Sequence, residues 1–349
     1  MFYRIISQRL YNMKPVFEGL ENGSCKNDYG NIDNLPLKEY IIKACYNSAY
    51  DPNKSDTISA ANLETRIAEG YRFIDLNVFS SEGKLYVGYS PDNKPTLTST
   101  SIPFTSALDC IKKHAFEKST MRLDDDKTPL LEPKKESVGP TLRDTYVNYP
   151  IFVFIRVYRS ETSKMDIIEK VAEQLKSTSD TKYYREGGLD DEKAIQIDGC
   201  TNLSSIKGKM LFVMDIVNIL QIYTPTDKPT ADQIPEKTRK ILTKFVNIYT
   251  GGNIWRHGLI NRPMPIRISE LTDPYKTNLF HMQIAFPSPK ETTNPDTHNM
   301  ITENSIQTIV IRPYLADTNL RAYTKIFKEL KTPMVCGAYV YNYIKKLET

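Results

Sequence analysis

Histidine is the side chain best suited to proton transfer near neutral pH, and this sequence has only four, at positions 114, 257, 281 and 298. No two are spaced to place a pair of metal ligands on one helix face. His257 follows the Gly251-Gly252 turn in the run Trp255-Arg256-His257 and is the strongest functional candidate of the four. His114 reads as a packing or surface residue on a helix flank, His281 as structural at the start of a strand, and His298 as solvated in a polar loop. Five cysteines stand at 25, 45, 110, 200 and 336, an odd number with no CxxC pair. That usage argues for free thiols in a reducing, intracellular compartment and against a disulfide framework or zinc knuckle. Cys45 as a nucleophile would need a partner base, and the sequence shows none.

The bulk properties narrow the classes further. Net charge is +4, charged residues make up 25%, and the basic residues are scattered, so nothing points to nucleic acid. No run of about 18 apolar residues is present, so no transmembrane helix is expected. Met1 to Leu10 lack the apolar stretch of a secretory signal. Tyrosine occurs 22 times. Tyr183-Tyr184-Arg185 and Tyr339-Val340-Tyr341-Asn342-Tyr343 are the local clusters best suited to bind protein partners.

The elements that must carry these residues alternate in type. Residues 1–35 read as an irregular polar arm ahead of a domain spanning 36–349. Strand patterns fall at 38–44, 71–79, 84–89, 149–158, 209–217, 278–286, 305–312 and 333–339. Helical patterns fall at 59–69, capped by Ser59 and stopped by Gly70, after Pro103, at 165–176, at 235–249 and at 317–330. Residues 117–146, with Asp124-Asp125-Asp126 and Pro133-Lys134-Lys135-Glu136, read as a charged surface insertion. Apolar strands alternating with amphipathic helices imply a parallel sheet covered by helices. Seven or eight strands in roughly 310 residues suit an α/β fold of the (β/α)8 TIM-barrel type, in a distorted form. An open doubly wound sheet is the runner-up, but no G-x-G-x-x-G follows a strand.

Five consecutive blocks then resemble one family. Tyr40-Ile41-Ile42-Lys43-Ala44-Cys45-Tyr46-Asn47-Ser48-Ala49-Tyr50 resembles the opening strand of the X region of phosphatidylinositol-specific phospholipase C. Gly70-Tyr71-Arg72-Phe73-Ile74-Asp75-Leu76-Asn77, the run from Ser80 to Tyr89, Leu97-Thr98-Ser99-Thr100-Ser101-Ile102-Pro103-Phe104 and Tyr149-Pro150-Ile151-Phe152-Val153-Phe154-Ile155 resemble its next four blocks, in order and spacing. Beyond about residue 160 the likeness thins to Ile206-Lys207-Gly208-Lys209-Met210-Leu211 and a general closing βαβ pattern. The resemblance implies a phospholipase C-like phosphodiesterase barrel.

The family's chemistry does not carry over. One histidine removes the proton of the inositol hydroxyl, a second protonates the departing alkoxide, and eukaryotic members add a calcium ion to offset the phosphorane charge. The histidine positions fall on Tyr46 and Gly88. Asn47 matches a calcium-binding asparagine, Asp75 replaces a glutamate, Asn77 replaces an aspartate, and Arg156 puts a cation where a further glutamate belongs. Tyrosine, with an ordinary pKa of about 10, is roughly a thousandth ionised at neutral pH, and glycine transfers no proton. Loss of a general acid or base typically costs about 10²–10⁴ in rate.

The expectation is therefore a catalytically degenerate barrel with no cofactor, its calcium site lost. It would be reused as a structural or interaction protein, in an assembly such as the virion of a large DNA virus. The candidate ligand-binding residues are Asn47, Asp75, Asn77, Arg156 and His257, with Asp75 and Arg156 expected to meet at the barrel mouth. There they would form either an internal ion pair or a grip for phosphate or inositol phosphate. The alternatives are an active phosphoric diester hydrolase with rearranged groups and a headgroup-binding module that does not cleave.

Overall fold

The computed structural model describes residues 35–89, 100–116, 146–158, 164–178, 197, 201–214, 236, 246–249, 255–259, 282–287, 292–302 and 306–348. The expected arm at 1–35, but for its last residue, and the expected insertion at 117–146, but for its last residue, lie outside them.

The strands are β1 (Tyr40–Cys45), β2 (Phe73–Ser81), β3 (Lys84–Gly88), β4 (Ile102–Pro103), β5 (Ile151–Tyr158), β6 (Met210–Met214), β7 (Ile248–Tyr249), β8 (Trp255–Leu259), β9 (Met282–Phe286), β10 (Thr308–Ile311) and β11 (Met334–Cys336). The helices are α1 (Ala60–Ala68), α2 (Phe104–Phe116), α3 (Lys164–Thr178), α4 (Leu203–Ile206), α5 (Thr297–Thr302), α6 (Thr318–Glu329) and α7 (Gly337–Glu348).

The sheet order is β7-β6-β5-β2-β1-β10-β9-β8, and every pairing along it is parallel. Apart from β8, which is not paired with β7 among the described residues, each strand lies beside the one that precedes it in this parallel series, and the last of them, β10, returns to β1. A doubly wound sheet must reverse its strand order; a barrel does not. The fold is thus a distorted (β/α)8-type barrel, and its seam lies between β7 and β8, where the described residues show no pairing. β3 and β4 form an antiparallel flap on β2.

Three expectations need correction. Residues 333–339 do not form a parallel closing strand: β11 covers only Met334–Cys336, runs antiparallel to β1, and gives way to helix α7 at Gly337. The helix expected over 235–249 does not reach its end, because Ile248 and Tyr249 form β7 beside Val213 and Met214. His298 lies in helix α5 and is half-buried, not solvated in a loop.

Side-chain alternation divides the core in two. Tyr40, Ile42, Ala44, Phe73, Phe152, Phe154, Leu211, Val213, Met282, Ile284, Phe286 and Val310 form one apolar cluster, the barrel interior. Ile41, Cys45, Ile74, Leu76, Val78, Val153, Ile155 and Ile309 belong to the other, under α1, α2, α3 and α6. At the barrel bottom the chain before β1 is tied down. Leu37 N–H donates to Thr201 C=O at 2.9 Å, Leu203 N–H donates to Leu35 C=O at 3.1 Å, and Leu37 is fully buried with Leu203 and Ile206.

Helix α6 is fixed by polarity as well as packing. Asp317 caps it by accepting from Leu320 N–H at 2.7 Å. The buried Tyr323 hydroxyl accepts from Ala44 N–H at 2.7 Å and donates to Ile42 C=O at 3.3 Å. Among the described residues no helix is long and apolar enough to cross a membrane. We expect Tyr323→Phe to lower the unfolding free energy by about 1–3 kcal/mol with an unchanged denaturant slope, because a buried amide loses its acceptor. Equilibrium urea denaturation measures this.

Candidate functional site

Three strands bring the site together at their C-terminal ends, the end at which barrels of this architecture place function. Along β2, alternation turns Phe73, Asp75 and Asn77 inward; along β5 it turns Phe152, Phe154, Arg156 and Tyr158 inward. The register sets Asp75 opposite Phe154 and Asn77 opposite Arg156, while Gly88 of β3 sits opposite Asn77 on the other side. β1 ends at Cys45, and the next residues, Tyr46 and Asn47, turn over the mouth. Asn47 has φ of 46°, a left-handed conformation that asparagine tolerates better than most residues.

The Asp75 carboxylate is fully buried and engaged on both oxygens. Oδ1 accepts from Arg156 Nε at 2.7 Å. Oδ2 accepts from Arg156 Nη2 at 2.5 Å and from Asn47 N–H at 2.8 Å. This is a bidentate fork, the strongest geometry available to an ion pair. Asn47 Oδ1 accepts from Asn77 Nδ2 at 2.5 Å and from Arg156 Nη2 at 3.3 Å. Arg156 Nη1 donates to the Tyr158 hydroxyl at 3.1 Å.

Aromatic rings enclose the guanidinium. Its carbon lies 4.9 Å from the Tyr46 ring centre and 5.2 Å from that of Phe286. Phe154 packs beside Phe286 and Phe73 with ring centres at 5.0 and 5.5 Å. Burial works against the Arg156 charge, but Asp75, Tyr158 and Tyr46 together outweigh it and hold the guanidinium protonated well above its ordinary range.

The turn after β1 is clamped to β2. Ser48 N–H donates to Asp75 C=O and Asp75 N–H donates to Ser48 Oγ, both at 2.9 Å. Cys45 Sγ lies 2.8 Å from Ser48 Oγ on the helix-facing side of β1. Burial pushes the Cys45 thiol up to about 12.

Of the candidates named from sequence, Tyr46, Asn47, Asp75, Asn77, Gly88 and Arg156 converge. His257 lies in β8, its backbone in register with Ile284 of β9; its side chain is outside the described residues. His114 is 3.4 Å from Glu64, between α1 and α2. Tyr183, Tyr184 and Arg185 are outside the described residues. Tyr339 and Tyr343 pack α7 against the outer core.

The sequence reading missed Tyr158, Phe286, Arg312 and Tyr314. Arg312 follows β10, is buried, and places its guanidinium carbon 5.5 Å from the far-reaching Tyr46 ring. Its backbone is held by Asn294, whose Oδ1 accepts from Arg312 N–H at 2.7 Å and whose Nδ2 donates to Arg312 C=O at 3.1 Å. Alternation through Thr308 and Val310 was the signal for Arg312, and through Arg156 for Tyr158. Around this rim Tyr50 stacks on Tyr89 with centres 3.9 Å apart and meets Tyr314 edge-on at 5.1 Å. Burial raises the pKa of Tyr50, Tyr89 and Tyr314, so all three stay neutral hydroxyls at physiological pH.

The chain aligns with the crystal structure of PLC21 from L. pealei at a TM-score of 0.59 and 10% identity, over 88% of this chain and 38% of that one. With PLC21 of S. officinalis the TM-score is 0.56 and the identity 9%, over 90% and 38% of the two chains. A Ca²⁺-dependent phosphatidylinositol-specific phospholipase C from Streptomyces antibioticus aligns at 13% identity and a TM-score of 0.44, over 86% and 98%. The fold is that of the phospholipase C-like phosphodiesterase barrels, and at these identities the likeness speaks for fold alone. The chain spans 38% of the length of the two PLC21 proteins. No protein-family model matches the chain, and neither does any curated protein.

A thiol buried and held protonated is a poor nucleophile. We expect Cys45 to resist a thiol-specific reagent at pH 8 in the native protein and to react once the chain is unfolded, read by mass spectrometry of the labelled peptide. The same shift has a stability sign. The folded pKa lies above the ordinary 9.0, so the Cys45 contribution is complete below pH 9 and fades as pH rises from about 9 to about 12.

Proposed function

We propose that this chain is a non-hydrolytic phospholipase C-like barrel that serves as an interaction or structural module. The single observation behind this reading is what occupies the two proton-transfer positions. Tyr46 lies with its ring against two guanidiniums and edge-on to Phe286 at 6.3 Å, and Gly88 has no side chain and is paired through the sheet with Asn77. Phosphodiester cleavage by an internal hydroxyl needs one group to take a proton and another to return it. Asp75 is a fully buried carboxylate whose two oxygens already accept from Arg156 and Asn47, so taking a proton there would sacrifice the ion pair.

Loss of chemistry leaves the barrel's other use, presentation of a surface. Candidate protein-facing features are Tyr341 of α7 and, from the sequence, the segment Tyr183-Tyr184-Arg185; an assembly such as a viral particle fits this role. A second reading has its own support in the rim. The neutral hydroxyls of Tyr89 and Tyr314 stand near the Arg312 guanidinium, a donor set suited to a phosphate or inositol phosphate headgroup bound without cleavage.

Phosphatidylinositol in mixed micelles, incubated with the protein in calcium or in chelator, should release no inositol phosphate above the no-enzyme background. Turnover abolished by Asp75→Ala would overturn this proposal. Saturable binding of inositol phosphates that weakens at least tenfold in Arg312→Ala would favour the second reading.

A further inference from the structure

The resemblance assigns Asn47, Asp75, Asn77 and residue 156 to a calcium shell, and the donor set present does not fit that ion. Calcium takes six to eight oxygens, several of them anionic. Here there is one carboxylate, and both of its oxygens already accept from Arg156. Asn47 Oδ1 is engaged by Arg156 and Asn77. Of the shell's side-chain oxygens only Asn77 Oδ1 has no partner within the described residues. No group of three His, Cys, Asp or Glu side chains suited to a metal exists among the described residues.

The guanidinium meets the same partners a metal would. It contacts the two Asp75 oxygens and Asn47 Oδ1, the very atoms assigned to the shell, and the Tyr158 hydroxyl completes its hydrogen bonding. Tyr46 and Phe286 shield it from water. We propose that Arg156 is a tethered cation standing in the metal's place, so that the centre is held together without any divalent ion, and that residues 156 and 77 together decide between the two states.

This has a structural consequence distinct from the absence of catalysis. In a metal-held centre the side chains of the β1 turn, β2 and β5 would be bridged only when the ion is bound, in addition to the backbone pairing that joins these strands in either case. Here the joint is covalently part of β5, and it fixes the left-handed Asn47 turn at any ion concentration. A guanidinium also directs its donors in one plane, which explains why the bonds fall on a carboxylate fork and one amide oxygen. A calcium ion would draw ligands from all sides.

The inference rests on the fold placement of these residues and not on whether the protein hydrolyses lipid, so a metal titration separates the two. Terbium emission sensitised by tyrosine reports a lanthanide seated at the mouth, because Tyr46 is adjacent. In the natural protein we expect no saturable, calcium-displaceable emission, and the same melting temperature in calcium as in chelator. In Arg156→Glu combined with Asn77→Asp we expect calcium-displaceable emission and a melting temperature several degrees higher in calcium than in chelator. Saturable emission from the natural protein that disappears in Asp75→Asn would overturn the proposal. So would a double variant with native circular dichroism that binds neither ion. Should that variant fail to fold, the titration of the natural protein decides alone, since it requires no substitution.

Discussion

The buried pairing of Asp75 with Arg156 is the interaction on which the mouth of this barrel depends. A carboxylate with no solvent exposure and a guanidinium with almost none are each costly to hold in an interior, by several kcal/mol after relaxation. Each is tolerable only because the other is there with matching geometry. Removing either would strand the other, and that asymmetry constrains everything nearby. The β1 turn must stay left-handed at Asn47 to direct its N–H to the carboxylate. β2 and β5 must keep the register that sets Asn77 beside Arg156. The rings of Tyr46 and Phe286 must close over the charge, with Phe154 packed behind Phe286.

Much of this was legible in the sequence because strand alternation is strict. Once residues 71–79 and 149–158 read as strands, Asp75 and Asn77 had to share one face of the first, and the family resemblance set them beside Arg156 at one mouth. The capping of α1 by Ser59 was likewise local. What was not legible depended on distant pairing. β11 is three residues long, and only its partner β1 sets its antiparallel sense. β7 is two residues at the end of a helix-like pattern. Arg312 lay past the point where the family likeness fades, so nothing in the local sequence tied it to Tyr46.

The same ion pair links fold to function. The centre holds two buried charges that satisfy each other. The groups that would exchange with a substrate are spent on holding strands together. Beside the centre Tyr50, Tyr89 and Tyr314 are half-buried, and Arg312 is buried near Tyr46.

The central claim is that Asp75 and Arg156 act as one unit, and a double-mutant cycle measures it directly. Asp75→Asn, Arg156→Met and the double variant would be compared with the natural protein by urea denaturation at neutral pH. The account predicts single losses of about 3–5 kcal/mol and a coupling energy of at least about 2 kcal/mol, the double variant being far less damaged than the sum of the two. Additive losses, with coupling near zero, would contradict it.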